Sequence, residues 1–264
     1  MSNPYLPPEI LDHIADFLHD DPKALKGCCL VSKSWIPRTR KHLFEEVELR
    51  HEVHLKSWKK IFSDPSTSPA NFTSSLCIGC ARAITATDAE SGGWLTGFAH
   101  VAHLVMGTPG MYPGEPAISL TPFHGLSRTI KSLHIKSIDL PPSRIFDFIL
   151  SSPLLEDLTM TGYRVWADDG DGSVTPPTFI RSSVPPPLTG SLDLFLKAGA
   201  KPIVGQLLSI PGGIHFRGLT LTWHCGEDLS SIIGLVGECS HTLESLNLTC
   251  YLDGMSIWYL PPHR

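Results

Sequence analysis

One short pattern recurs eight times along this chain of 264 residues. It places an apolar residue, two variable positions, a leucine, one variable position and a second apolar residue in a row, with small departures. The segments are 43–49, 72–78, 101–106, 130–135, 155–160, 191–194, 216–221 and 243–248. Alternating apolar and polar positions suit a β-strand with one buried face. The last apolar residues are Leu49, Ile78, Met106, Ile135, Met160, Leu194, Leu221 and Leu248, at intervals of 29, 28, 29, 25, 34, 27 and 27 residues. A strand this short cannot bury its apolar face alone. Near-constant intervals therefore predict stacked units, each covering the next.

Helical stripes fall between several of the strands. Ser143 offers a cap to a helix carrying Ile145, Phe146, Ile149 and Leu150. Pro202 opens another with Ile203, Val204, Leu207 and Leu208, and Asp228 precedes Leu229, Ile232, Ile233 and Val236. One strand and one helix in 20–29 residues resembles a leucine-rich repeat, and all intervals but one fit. The outlying interval of 34 has a visible cause: residues 164–190 hold Asp168, Asp169 and Asp171 with glycines, then Pro176-Pro177 and Pro185-Pro186-Pro187. That composition predicts a loop inserted on one face. The usual asparagine turn position is mostly missing, and a general α/β domain with parallel strands would alternate in the same way. The expected fold is an α/β or α+β solenoid with parallel strands over 48–264, after a helical segment over 1–47.

In that segment Leu6-Pro7-Pro8-Glu9 opens a stripe of Ile10, Leu11, Ile14, Phe17 and Leu18, the spacing of one helical face. Asp21 is placed to cap a second helix, with Pro22 at its first position and Leu25, Cys28 and Cys29 as its apolar residues. Ser34 offers a cap to a third, which carries Pro37 in its first turn and Trp35, Leu43 and Phe44 as large apolar residues. Three short helices make too small a core to stand alone, so a partner or neighbouring domain is expected to cover them. The basic residues Lys33, Arg38, Arg40, Lys41 and His42 read as a solvated helix face.

The string Leu6-Pro7-Pro8-Glu9-Ile10-Leu11, then Ile14, then Cys28-Cys29-Leu30-Val31-Ser32-Lys33-Ser34-Trp35, and finally His42-Leu43-Phe44, resembles an F-box. It is similar to those of the large fungal, basidiomycete-type F-box families, over roughly residues 5–47. The resemblance implies docking onto the small Skp-type adaptor of a cullin–RING ubiquitin ligase. Carried onto this sequence, the contact residues are Leu6, Pro7, Ile10, Leu11, Leu25, Leu30, Val31 and Trp35. An apolar groove on a small helical unit calls for a helical partner. The bland alternative is that these residues are the core of an N-terminal cap.

Composition narrows the function classes. A formal net charge of −5 argues against a surface that tracks phosphates, so no nucleic acid is expected as a partner. No apolar run reaches the 18 or so residues needed to cross a bilayer, and the N-terminus has no signal-peptide pattern. The expected compartment is cytoplasm or nucleus. Seven cysteines, an odd number set mostly in apolar segments, are expected to be free thiols. The triplets Asn71-Phe72-Thr73 and Asn247-Leu248-Thr249 carry no weight without secretion.

No motif in the chain completes a chemical site. Cys77-x-x-Cys80 with His100-x-x-His103 resembles a zinc ligand set, but stacking in register separates Cys80 from His103 by roughly 16 Å along the strand. Asp168-Asp169-Gly170-Asp171-Gly172-Ser173 hints at a calcium loop, yet Ile180 stands where the bidentate glutamate belongs. No nucleophile elbow or phosphate-cradling loop is present, and Gly237-Glu238-Cys239-Ser240-His241 matches no catalytic signature. The expectation is a non-catalytic substrate receptor with no cofactor or metal. Its exposed strand positions His134, Thr159, Asp193, Thr220 and Asn247 would face a target protein. A scaffold or sequestering protein outside any ligase is the alternative, and a hydrolase with its site among the histidines a third. After the Leu248 strand, the tail through Trp258-Tyr259-Leu260-Pro261-Pro262 caps a solenoid poorly. A shortened family member, or one completed by a partner, is the expectation.

Overall fold

The computed structural model describes residues 6–64, 67–84, 88, 93–107, 120–136, 142–164, 187–198, 200–224 and 229–251. Three helices come first: α1 (Pro8–Phe17), α2 (Pro22–Val31) and α3 (Ile36–Leu43), with a 3-10 turn at Lys33–Trp35. Each begins with proline at its first or second position, where the missing N–H has no intrahelical acceptor to lose. Asp21 caps α2 as the sequence predicts, its Oδ1 accepting from the amides of Lys23 and Ala24 at 3.0 Å each. Ser34 does not cap α3. Ser32 instead caps the 3-10 turn, because its backbone is extended, as a cap requires, while Ser34 already lies inside the turn.

The strands β1 (Glu46–Leu49), β2 (Ser75–Ile78), β3 (His103–Gly107), β4 (Ser132–Lys136), β5 (Asp157–Arg164), β6 (Leu188–Ala198), β7 (Ile214–His224) and β8 (Ser245–Tyr251) follow chain order through one sheet. Parallel neighbours need a crossover between them. The described helices α4 (Glu52–Ile61), α5 (Pro142–Leu150), α6 (Ala200–Leu208) and α7 (Leu229–Cys239) each lie between consecutive strands in the sequence. The class is therefore α/β with a parallel sheet.

Sequence interval and strand register coincide. Leu49 pairs with Ile78 and Ile78 with Met106. Met160 pairs with Leu194, Leu194 with Leu221 and Leu221 with Leu248. The long interval between Met160 and Leu194 leaves this alignment intact. Alternate residues are buried in β1 to β4, as a one-faced strand demands.

The chain divides into two compact units, Met1–Leu133 and His134–Arg264. The expected 47/48 boundary falls inside β1, within the first unit. There the carbonyl of Glu45 accepts from the amides of Ser74 and Ser75, that of Ser74 from Ala102 and His103, and that of Ala102 from Lys131 and Ser132, all at 2.8–3.0 Å. A threonine hydroxyl reinforces the pattern twice: Thr73 donates to the Phe44 carbonyl and Thr129 to the Val101 carbonyl, each at 2.8 Å. Aromatic rings fill the space beside these strands. Trp58 on α4 lies 4.7 Å from Phe62, 5.4 Å from Phe98 and 6.1 Å from Phe44, centroid to centroid. Such tilted and edge-on pairs add to their area burial.

In the second unit, Ile145, Phe146, Phe148, Ile149 and Leu150 of α5 are buried, as are Ile203, Val204 and Leu207 of α6. α6 starts at Ala200, two residues before Pro202, and Ser143 lies within α5 instead of capping it. The buried face of α7 is Ile232, Leu235 and Cys239, at helical spacing, while Ile233 is exposed. The expected stripe was therefore rotated by part of a turn. Thr242 repeats the staple of the first unit, donating to the Phe216 carbonyl at 3.0 Å. Gly190 has φ +83 where the β6–β7 register shifts, and a Cβ there would overlap the carbonyl oxygen of Glu156. Only glycine adopts this conformation without strain.

Candidate functional site

Two surfaces carry the residues singled out from sequence. The first lies on the three N-terminal helices, whose buried residues are few: Ala15, Leu25 and Thr39. Leu30 is 89% exposed, Phe17 85% and Val31 75%, and Leu6, Ile10 and Ile14 are exposed as well. Large side chains of this kind normally contribute about 1.5–3 kcal/mol each when buried. Here α1 and α2 leave that contribution unclaimed. Pro7 is exposed, and Leu11 and Trp35 are half-buried.

Leu25 is the correction. It is fully buried, so it belongs to the core of the helical unit and offers no surface to a partner. The reason is the face it occupies, since α2 packs against α3 and the 3-10 turn. The bland alternative, that the whole set is core, fails for Leu6, Ile10, Leu30 and Val31. Phe17 belonged to the sequence's α1 stripe but not to the proposed contacts, and its exposure adds it to this surface.

What fixes α1 against α3 was not foreseen. Arg38 donates from Nε and Nη2 to the two oxygens of Asp16, each at 2.6 Å, and His42 Nε2 lies 2.7 Å from Asp16 Oδ1. These hydrogen bonds hold the Asp16 carboxyl well below the usual carboxylate range and raise the Arg38 guanidinium. Arg38 and His42 therefore do not belong to a freely solvated basic face. Thr39 adds a buried link, its hydroxyl donating to the Trp35 carbonyl at 2.7 Å and standing 2.9 Å from Cys29 Sγ.

The second surface is the face of β5 to β8 opposite the one on which Leu158, Leu192, Leu194, Leu219 and Leu221 are buried. Thr159, Asp193, Thr220 and Asn247 pair in register and make one row across the four strands. Thr161, Phe195, Thr222 and Thr249 make the next row; Asp157, Ser191, Gly218 and Ser245 make the preceding one. Five threonines, two serines and an asparagine give this face many short hydrogen-bonding groups and little flexibility to lose on binding. Burial pushes the Asp193 carboxyl up. His134, on β4, places Nε2 3.1 Å from the Thr161 hydroxyl. Burial, with Lys136 nearby, brings its imidazole down to about 4.

The remaining candidates do not assemble. Cys80 donates to the Leu49 carbonyl at 3.3 Å, its thiol pushed up by burial, while His103 pairs with Ser75 on the neighbouring strand. Among the described residues no three His, Cys, Asp or Glu side chains group as metal ligands. The described cysteines form no disulfide with one another. The stretch 168–173 and most of the 164–190 segment lie outside the described residues. An apolar gap lined by Leu194, Val204, Leu221, Ile232 and Leu235 has room for about 10 Å³, far below the size of ligand pockets. No described helix is long and apolar enough to cross a membrane. No family model, curated protein or solved structure matches this chain.

Proposed function

We propose that the chain is a substrate receptor of a cullin–RING ubiquitin ligase. Its N-terminal helices act as an F-box that docks a Skp-type adaptor, and its strand face, arranged as an irregular leucine-rich-repeat solenoid, holds a target protein. The observation that carries the reading is the exposure of Leu6, Ile10, Phe17, Leu30 and Val31 on helices that bury so little of their own surface. A helical partner laid over these residues would recover their burial. The polar row from Thr159 to Asn247 suits a target recognised by hydrogen bonds on a rigid frame. Ubiquitin transfer would be carried out by the partners, in cytoplasm or nucleus.

Co-purification with a Skp-type adaptor and its cullin tests this, comparing wild type with an Ile10→Asp, Leu30→Asp variant. Both positions are exposed, so the variant is expected to fold. Recovery of both partners by wild type and of neither by the folded variant is the expected result. Adaptor without cullin would favour a scaffold outside the ligase, and recovery of neither partner by wild type would overturn the F-box reading.

A further inference from the structure

Two carboxylates on the polar face of β5 to β8 are treated differently by their surroundings. In the three rows across these strands the residues with a formal charge are Asp157 and Asp193, both negative. Asp157 is engaged, since the Ser191 hydroxyl donates to its Oδ1. Among the described residues Asp193 has no hydrogen bond or ion pair. It is half-buried, and burial alone accounts for the rise of its carboxyl. A carboxylate drawn partly out of water without a compensating group carries a cost.

The neighbours of Asp193 define what would satisfy it. Thr159 and Thr220 flank it in its own row, on strands about 4.8 Å to either side. Their hydroxyls accept hydrogen bonds as well as donate them. Phe195 stands two residues further along β6, in the next row of the same face, and is half-buried. On the β4 side Thr161 meets His134, which burial keeps neutral at pH 7. Lys136, whose charge acts on His134, belongs to a strand two places from β6. A carboxylate next to an aromatic ring, with hydroxyls on both sides, matches a guanidinium. Its fork takes the carboxylate, its plane rests on the ring, and its remaining N–H groups donate to the threonines.

We propose that the β5–β8 face recognises an arginine of the target protein, seated between Asp193 and Phe195 with Thr159 and Thr220 beside it. The inference rests on the strand face being the surface that holds the target, and it does not depend on adaptor docking. Charge complementarity selects the occupant. An acidic or phosphorylated segment would set like charge against Asp157 and Asp193, and an apolar one would bury Asp193 unpaired.

A random peptide library displayed on phage and selected on the immobilised full-length chain tests it. Wild-type pools are expected to gain arginine at one position by about fivefold or more over the input library. The best selected peptide, synthesised and titrated by fluorescence anisotropy, should bind Asp193→Asn at least about fivefold more weakly. Phe195→Leu, which keeps an apolar side chain and removes the ring, should weaken it about two- to threefold. Asp157→Asn, whose carboxylate is already engaged, should stay within about twofold of wild type. Pools without arginine enrichment would overturn the proposal, as would a peptide that binds Asp193→Asn or Phe195→Leu as tightly as wild type. Equal loss in Asp157→Asn would show a diffuse attraction in place of a site. A wild-type dimer in sedimentation that Asp193→Asn disperses would put a second copy on the face, and also refute the arginine. No adaptor is present in these measurements, so they succeed or fail separately from the co-purification.

Discussion

Arg38 grips Asp16 through two hydrogen bonds of 2.6 Å, joining helices whose partners are 22 residues apart in sequence. A planar guanidinium matches a carboxylate in this two-point geometry, and lysine does not. Because Asp16 is held below its ordinary pKa, its contribution to stability is complete above the usual carboxylate range and is lost progressively as pH falls from that range toward the lowered value. Arg38→Lys and Asp16→Asn should both lower the unfolding temperature at pH 7. In Asp16→Asn the stability lost between pH 5 and pH 2 should shrink, measured by thermal melts across that range.

Leu25 and Leu30 share a helix and are both apolar, yet they should behave in opposite ways. Leu25→Ala removes a fully buried side chain and should cost about 2–5 kcal/mol. Leu30→Ala should stay within about 0.5 kcal/mol, while weakening adaptor binding. Urea denaturation beside pull-down separates the two effects. A Leu30→Ala chain as unstable as Leu25→Ala would place Leu30 in a core.

Asp193 carries a stability cost that a binding face would explain. Its raised pKa means that its contribution is most favourable below the ordinary carboxylate pKa and declines as pH rises through the raised value. Asp193→Asn should therefore stabilise the protein near neutral pH and leave stability unchanged near pH 3. Chemical denaturation at the two pH values is the measurement, and a variant no more stable than wild type at pH 7 contradicts the assignment.

His134 titrates in the opposite sense. Held neutral down to about pH 4, it takes up its proton in the unfolded chain near pH 6.5, so stability falls as pH drops between those values. His134→Gln keeps a hydrogen-bonding group beside Thr161 and should flatten that part of the stability–pH curve. An unchanged slope would mean that the histidine titrates normally.

At Gly190, alanine has nowhere to place its Cβ without moving the Glu156 carbonyl, and φ +83 is itself unfavourable for it. Gly190→Ala should cost more than about 1 kcal/mol, seen as a fall in urea midpoint. Gly237→Ala, in α7 with open space around it, serves as the control.

The strands were legible because period-2 alternation and a repeating leucine survive in a single sequence, and the intervals translate directly into register at Leu49, Ile78 and Met106. The turns at Trp94–Gly97 and Thr121–Gly125 were not, since their mixture of aromatic residue, proline and glycine has no period. Helix faces were read only to within a fraction of a turn. A stripe including Ile233 looked as good as the buried one through Leu235, because apolar residues nearly encircle α7. The row from Thr159 to Asn247 followed from the strand phase. The Asp16–Arg38–His42 group did not, because nothing local announces a contact between residues so far apart in the chain. Leu25 could not be told from Leu30 without knowing which face of α2 meets α3.

The alignment of Met160 with Leu194 across the longest interval has an evolutionary consequence. Where equivalent positions on other neighbouring strands lie 25–29 residues apart, Met160 and Leu194 lie 34 apart and still meet in register. The length of the joining chain and the pairing of the strands are thus separate variables. Mutation can lengthen, shorten or recode the crossing between β5 and β6 without renegotiating the rest of the sheet. Novelty can accumulate there at little risk to the whole, and an engineer seeking to graft a foreign peptide would choose the same place.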